Sequence, residues 1–301
     1  MSLVVGIDPA QRSASVLNLA AMLARSAGTD LVVTAVVPRT WPMAAGTADA
    51  EWRRFTRATA EAALDHAAAV LGDAIPTRFV VHEAPSVRRG LVELAEEHEA
   101  ELVVVGSSST APAGRIAFGS ESDALLHASP VPVAIAPRGF RTSDGARVRR
   151  VTAAYHGTDT SADLVKGAAE VAGRVGAALR VASFAVVPPV SGTAGTGLDV
   201  EQGIADEWAA DVQRHATSLL TEVSALAEPP VLEGTVIGMG DSWESAIADV
   251  PWESDEVLVV GSSSLGPLAR VFLGSHATKV ARNSPVPVVV VPRAAVSADR
   301  G

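Results

Sequence analysis

Two short stretches carry the residue types best placed for chemistry. Gly106-Ser107-Ser108-Ser109 follows an apolar run and is separated by nine residues from Gly119-Ser120; the same spacing returns in Gly261-Ser262-Ser263-Ser264 and Gly274-Ser275. Small residues after a strand suit one task, the holding of an anion. Glycine lets backbone N–H groups approach without a Cβ in the way, and the amino end of a following helix adds a positive dipole. Ser120 and Ser275 stand where such a helix begins, so each either meets a ligand or caps its own helix by holding an orphan N–H. Residues 106–138 align with 261–293 at a constant offset of 155 with no gap, and 15 of these 33 positions are identical.

The charges around the two stretches differ. Arg115 and Arg270 occupy the same place in both loops; each either reaches a phosphate oxygen or is a solvated loop charge. Glu121 and Asp123 follow Gly119-Ser120, whereas His276 and Lys279 follow Gly274-Ser275. A carboxylate beside a phosphate repels it, yet acidic residues in a first helical turn also meet the helix dipole favourably.

Other chemistries lose their support. The seven histidines form no His-x-x-x-His or Glu-x-x-His pair of the helical metal-site kind. Gly6-Ile7-Asp8-Pro9-Ala10-Gln11 breaks the dinucleotide fingerprint after the first strand, and no Gly-Lys-Ser phosphate loop occurs. With no cysteine, thiolate nucleophiles, disulfides and cysteine-ligated metals are excluded.

The elements that must position these residues follow from apolar periodicity. Strands are predicted over 3–7, 31–37, 77–82, 102–105 and 131–136, and helices over 13–27, 48–71, 86–98 and 120–128. The second half repeats the order, with strands over 151–155, 179–187, 231–237 and 257–260 and helices over 161–176, 201–227 and 242–250. Continuous apolar strands between amphipathic helices, joined by right-handed crossovers, give the α/β doubly wound class, a parallel sheet covered on both sides. Ligands then gather outside the carboxyl ends of the strands. The implied layout is a first domain over 1–138, a linker over 139–149, a second domain over 150–293 and a tail over 294–301. Trp52 and Trp208, in the corresponding long helices, are expected in the core. Pro132 and Pro287 each remove a ladder donor and suggest an edge or an interrupted pairing in the last strands rather than a central strand.

The 301 residues carry a net charge of −10, which disfavours nucleic acid and anionic membrane as partners. No apolar stretch reaches the roughly 18 to 20 residues of a membrane span. The chain enters a strand pattern at Leu3 with no basic region or cleavage site before it, and a cytoplasmic location is expected.

The repeated stretch resembles the universal stress protein family, in which Gly-x-x-Gly, nine residues, then Gly-Ser or Gly-Thr binds the phosphates of ATP. The opening Val-Gly-Ile-Asp and both copies of Ser-Pro-Val-Pro-Val are similar to that family too, so the likeness covers nearly the whole chain. Both copies depart from it at one place, with Ser109 and Ser264 where the pattern has its second glycine. The resemblance implies a five-stranded parallel sheet per domain, pairing of the two domains through their last strands within one chain, and ATP or another adenine nucleotide as cofactor. It places Asp8 at the ribose in the first half, with His156 at the matching position in the second. It places Val36 and Val186 at the adenine, and Gly106, Ser109, Gly119, Ser120, Gly261, Ser264, Gly274 and Ser275 at the phosphates.

Two readings stay open. One is a tandem stress-response regulator without robust catalysis that binds adenine nucleotide weakly or in a single half. The other is an interaction or scaffold protein of the same fold that binds none. A nucleotide-hydrolysing enzyme would need a metal ligand and a water-positioning group, and no residue presents itself for either. Whether two chains form a homodimer is left open by the sequence.

Overall fold

The computed structural model describes residues 2–11, 13–39, 47–187, 197–262 and 274–292. In the first half β1 (Ser2–Ile7), β2 (Asp30–Pro38), β3 (Thr77–Ala84), β4 (Ala100–Gly106) and β5 (Val133–Ala136) alternate with α1 (Ser15–Ala27), α2 (Thr47–Leu71), α3 (Val87–Glu97) and α4 (Ser120–Leu126). In the second half β6 (Arg150–Ala154), β7 (Ala178–Val186), β8 (Leu232–Gly240), β9 (Glu256–Gly261) and β10 (Val288–Val291) alternate with α5 (Asp159–Val175), α6 (Gly197–Val223), α7 (Trp243–Ala248) and α8 (Ser275–Asn283). The α/β fold expected from periodicity is the one observed. Helix starts follow capping chemistry: Ser86 Oγ accepts from the Arg89 amide ahead of α3, and Ser242 Oγ from the Ser245 amide ahead of α7.

All ten strands join one sheet in the order β3-β2-β1-β4-β5-β10-β9-β6-β7-β8. Neighbours are parallel throughout each half, and β5 and β10 meet antiparallel with Val288 opposite Ile135, Val289 opposite Ala134 and Val290 opposite Val133. Each half runs outward from its first strand through the second and third, then returns to the other side of the first. The crossovers therefore diverge between β1 and β4, and again between β6 and β9, which opens a crevice at the carboxyl ends of those strands.

Alternation along the strands loads both faces of the sheet. Val133 and Ile135 face a cluster with Leu91 and Leu94 of α3, Leu125 of α4, Ile247 of α7 and Val280 of α8. Ala134 and Ala136 face the opposite cluster, with Leu19 and Met22 of α1, Leu64 of α2, Val165 of α5 and Leu219 of α6. Each cluster extends across both halves.

Two expectations are corrected. β5 and β10 are the innermost strands of the sheet, not edges. Pro132 and Pro287 stand one residue before them and lose nothing by lacking an N–H, because only their carbonyls are used, accepting from the amides of Val103 (3.0 Å) and Leu258 (2.9 Å). Trp52 is not in the core: it is 46% exposed, 6.2 Å from the ring of Phe55, which is 64% exposed. Trp208 in α6 packs half-buried against the core.

Candidate functional site

The crevice between β1 and β4 opens into a cleft of about 460 Å³. Its apolar lining comes from Val16 of α1, Val36 of β2, Val87 and Leu91 of α3, and Val105 of β4. Its hydroxyls come from Ser13, Ser15, Ser107, Ser108, Ser109 and Ser120. A cleft lined by apolar side chains and hydroxyls together suits a flat, partly polar small molecule.

Each predicted residue of the first half can now be placed. Asp8, Val36, Gly106, Ser109, Gly119 and Ser120 all line this one cleft, although they come from four separate segments. Asp8 directly follows β1, and its carboxylate folds onto its own loop, accepting from the Ala10 amide (2.9 Å) and from Gln11 Nε2 (2.8 Å). Val36 is buried late in β2 and packs against Gly90 of α3, where a Cβ would come within 2.8 Å of its Cγ1.

Gly106 and Gly119 are different. Neither has positive φ, and a Cβ built on Gly106 would meet nothing closer than Val16 Cβ at 3.9 Å, one on Gly119 nothing closer than Ser108 Cβ at 3.7 Å. Backbone conformation and packing would both accept alanine there, so what these glycines leave open is space at the floor of the cleft. Ser109, in the place of the family pattern's second glycine, is also unstrained: among the described residues Glu99 alone has positive φ without being glycine. Its hydroxyl and that of Ser120 make no hydrogen bond to another described residue.

The loop after β4 is closed largely on itself. The Ser107 amide donates to Ala136 O, the Ser108 amide to Ala117 O, the Thr110 amide to Ser108 Oγ and the Ala111 amide to Ser108 O. The Gly119 amide donates to Ser122 Oγ at 2.9 Å. Ser109 is left with the unbonded amide of the turn.

Arg115 does not serve the cleft. Its Nη1 donates to Asn283 O of α8 at 2.9 Å, and its Nη2 lies 3.3 Å from Glu244 Oε1 of α7, so the side chain crosses into the second half. Among the described residues the cation that lines the cleft is Arg138, whose Nη1 donates to Ala111 O at 2.7 Å. Sequence reasoning passed over Arg138, Gln11, Val16 and Leu91. The divergence of crossovers between β1 and β4 is the signal that leads to the loop after β1, and thus to Gln11 and the residues that follow.

In the second half His156 follows β6, with its amide donating to Ser161 Oγ (3.4 Å) and its Nε2 3.5 Å from Thr158 Oγ1. Partial burial, and after it the charge of nearby His276, hold the His156 ring below the usual histidine value. His276 meets the edge of Trp243 at 5.1 Å and Lys279 lies 5.5 Å from the same ring, so both side chains of this helix start pack toward α7. Val186 ends β7 and Gly261 ends β9; Gly274 precedes α8 in extended conformation and Ser275 is its first residue. Ser264 and Arg270 lie outside the described residues.

Among the described residues no group of three histidine, aspartate or glutamate side chains is arranged to hold a metal ion, and no helix is long and apolar enough to cross a membrane.

Comparison with known proteins places these observations. The model of the universal stress protein family matches residues 1–137 and again 147–292. Universal stress proteins of Mycobacterium tuberculosis and Mycobacterium bovis are 36% identical over 296 residues, which is 97% of this chain and 100% of theirs. The crystal structure of a universal stress protein from Archaeoglobus fulgidus covers 97% of this chain and 98% of its own at 18% identity, with a TM-score of 0.62. A shorter universal stress protein from the same organism, solved in complex with dAMP, matches 45% of this chain and 97% of its own at 21% identity and a TM-score of 0.34.

Proposed function

Since the chain belongs to the universal stress protein family and carries that family's domain twice in tandem, we propose that its first half binds an adenine nucleotide in the β1–β4 cleft. Occupancy of that cleft is then the signal through which the protein acts as a cytoplasmic stress-response regulator. The reading assigns no catalytic residue.

One observation carries it. The residues that the family pattern assigns to ribose, adenine and phosphate in the first half, Asp8, Val36, Gly106, Ser109, Gly119 and Ser120, converge on a single cleft, while Arg115, a candidate from its place in the loop, turns away. The cleft's chemistry is in keeping: aliphatic walls at Val16, Val36 and Leu91 for a purine face, and Asp8 at the rim for sugar hydroxyls. Binding of this kind draws on fit more than on charge.

Thermal unfolding with adenine nucleotides at millimolar concentration tests the reading. A ligand present at 100 times its Kd stabilises by about 2.7 kcal/mol, enough to move the midpoint by several degrees. If adenosine, AMP, ADP and ATP all leave the midpoint in place, and titration calorimetry registers no heat of binding, the cleft is not an adenine-nucleotide site.

A further inference from the structure

The connection from β4 to α4 lines the first-half cleft with both of its ends, Ser107 to Ser109 at the start and Gly119 and Ser120 at the finish. Residues 107–118 belong to no helix or strand, so their shape is held by single hydrogen bonds. The Ser108 amide donates to Ala117 O at 2.9 Å and the Ala117 amide to Ser107 Oγ at 2.9 Å. The Gly114 amide donates to Arg138 O at 2.8 Å, and the Arg138 amide to Arg115 O at 3.0 Å. Arg115 thus holds with its main chain a residue that lines the cleft, while its side chain leaves for the second half.

One helix receives the connection across the seam. Arg115 Nη1 donates at 2.9 Å to the carbonyl of Asn283, the last residue of α8. The guanidinium of Arg282, the residue before it, lies 5.7 Å from the ring of Phe118, which directly precedes Gly119 of the cleft. Phe118 also packs against the cluster that contains Val280 of α8. A charge-assisted hydrogen bond and a cation over an aromatic face both depend on where α8 lies. The start of α8 is set in turn by α7, through the contacts of His276 and Lys279 with Trp243.

We infer that the second half sets the affinity of the first-half cleft: α8 holds residues 107–118 in their binding shape through Arg115 and Arg282, and Arg115 is a positioning residue for a site that its side chain does not touch. The inference rests on the cleft being an adenine-ligand site. A connection released from α8 spreads over conformers of which only a fraction presents Ser108, Ser109 and Arg138 together, and the apparent affinity falls by that fraction. The tandem arrangement is then part of the site and not a repetition of it.

Titration calorimetry of AMP against the native chain, Arg115→Ala, Arg115→Lys, Arg282→Ala and Arg180→Ala tests this, with hydrogen exchange as a second readout. Arg115→Ala is expected to weaken AMP about three- to tenfold with the stoichiometry unchanged, and Arg282→Ala about two- to threefold. Arg115→Lys should bind within about twofold of the native chain, because an ammonium also donates to the Asn283 carbonyl. Arg180→Ala separates positioning from stability. Arg180 contacts Thr152, Pro251, Glu256 and Trp252, so its loss destabilises the second half but should leave AMP affinity within about twofold, since a chain that stays folded keeps its Kd. In Arg115→Ala the amides of Ser108, Gly114 and Ala117 should exchange about three- to tenfold faster while those of β1 keep their rates. Native AMP affinity in both Arg115→Ala and Arg282→Ala overturns the inference, whatever the exchange rates. An equal loss of affinity in Arg180→Ala also overturns it, because affinity would then follow overall stability. A native chain that binds no AMP defeats the adenine-site reading instead, and the inference with it.

Discussion

Gly106 and Arg115 belong to one connection and serve different halves of the molecule. Gly106 leaves room at the floor of the cleft that neither its backbone nor its neighbours require, while Arg115 leaves the cleft and ties the connection to α8. A cation on the last carbonyls of a helix meets both an orphan acceptor and the negative end of the dipole, whereas Glu244 at 70% exposure adds little. Arg115→Ala should therefore cost about 1–2 kcal/mol of stability in urea unfolding without removing the cleft. A second cluster of charge lies at the other end of the sheet. Glu256 is fully buried at the start of β9 and Arg180 nearly so; Arg180 Nη2 donates to Glu256 Oε1 at 2.5 Å, Nη1 to Pro251 O at 2.9 Å, and the Thr152 hydroxyl also donates to Glu256. Arg150 adds a third contact to Glu256. Burial alone would lower its pKa, but its bonds to Glu233 and Glu253 and the charge of Glu256 raise it above the usual arginine value. Arg180→Ala leaves the buried Glu256 with Arg150, the Thr152 hydroxyl and the Glu253 amide as its remaining partners; it should destabilise by about 2–4 kcal/mol, with Arg180→Met plus Glu256→Leu recovering most of the loss. Neither variant should alter ligand binding in the first half, because the cluster sits at the amino ends of the strands and the cleft at their carboxyl ends.

At the scale of elements, much of the architecture is legible in the sequence because burial on both faces writes strands as continuous apolar runs, and amphipathic helices write their own period. The runs at Leu31 and Val103 announce β2 and β4 for this reason, and Ser86 announces α3 because its hydroxyl has one local use. What could not be read depends on heights and directions set by other elements. α2 has 25 residues and extends about 37 Å, while the nine residues of β2 extend about 30 Å, so the first turns of the helix run past the sheet and carry Trp52 and Phe55 out of the core. Trp52→Ser should accordingly change stability by less than about 1 kcal/mol, whereas Leu219→Ala in α6, buried at 5% exposure, should cost about 2–5 kcal/mol. A large loss for Trp52→Ser in the same unfolding assay would show that something covers it. The direction of Arg115 was equally hidden, since its partner Asn283 lies 168 residues away. Gly106, Ser109, Gly119 and Ser120 could be picked out because their spacing is local to one connection, Asp8 and Val36 because the resemblance names their positions, and all six line the cleft at the switch point.

For the whole molecule, the sheet and its two apolar clusters run without interruption through the β5–β10 seam, so the halves share one core. Unfolding should follow a single transition, with tryptophan fluorescence and far-UV circular dichroism giving coincident curves; two separated midpoints would show halves that fold independently. Shared architecture does not make the halves equal as sites. In the first, Asp8 follows β1 and Glu121 lines the cleft, while in the second His156 lies just past β6 and α8 carries His276 and Lys279. The central claim, that the first-half cleft is the adenine-ligand site, is tested most directly by titrating AMP into the native chain, Gly106→Ala and Gly261→Ala. Both alanines fit the fold, with nearest contacts of 3.9 Å and 3.6 Å. The predicted result is one AMP per chain, weakened at least about tenfold by Gly106→Ala and unchanged by Gly261→Ala, with both variants as stable as the native chain or more so by about 0.4–1 kcal/mol. Undiminished binding in Gly106→Ala, or binding lost only in Gly261→Ala, would contradict it.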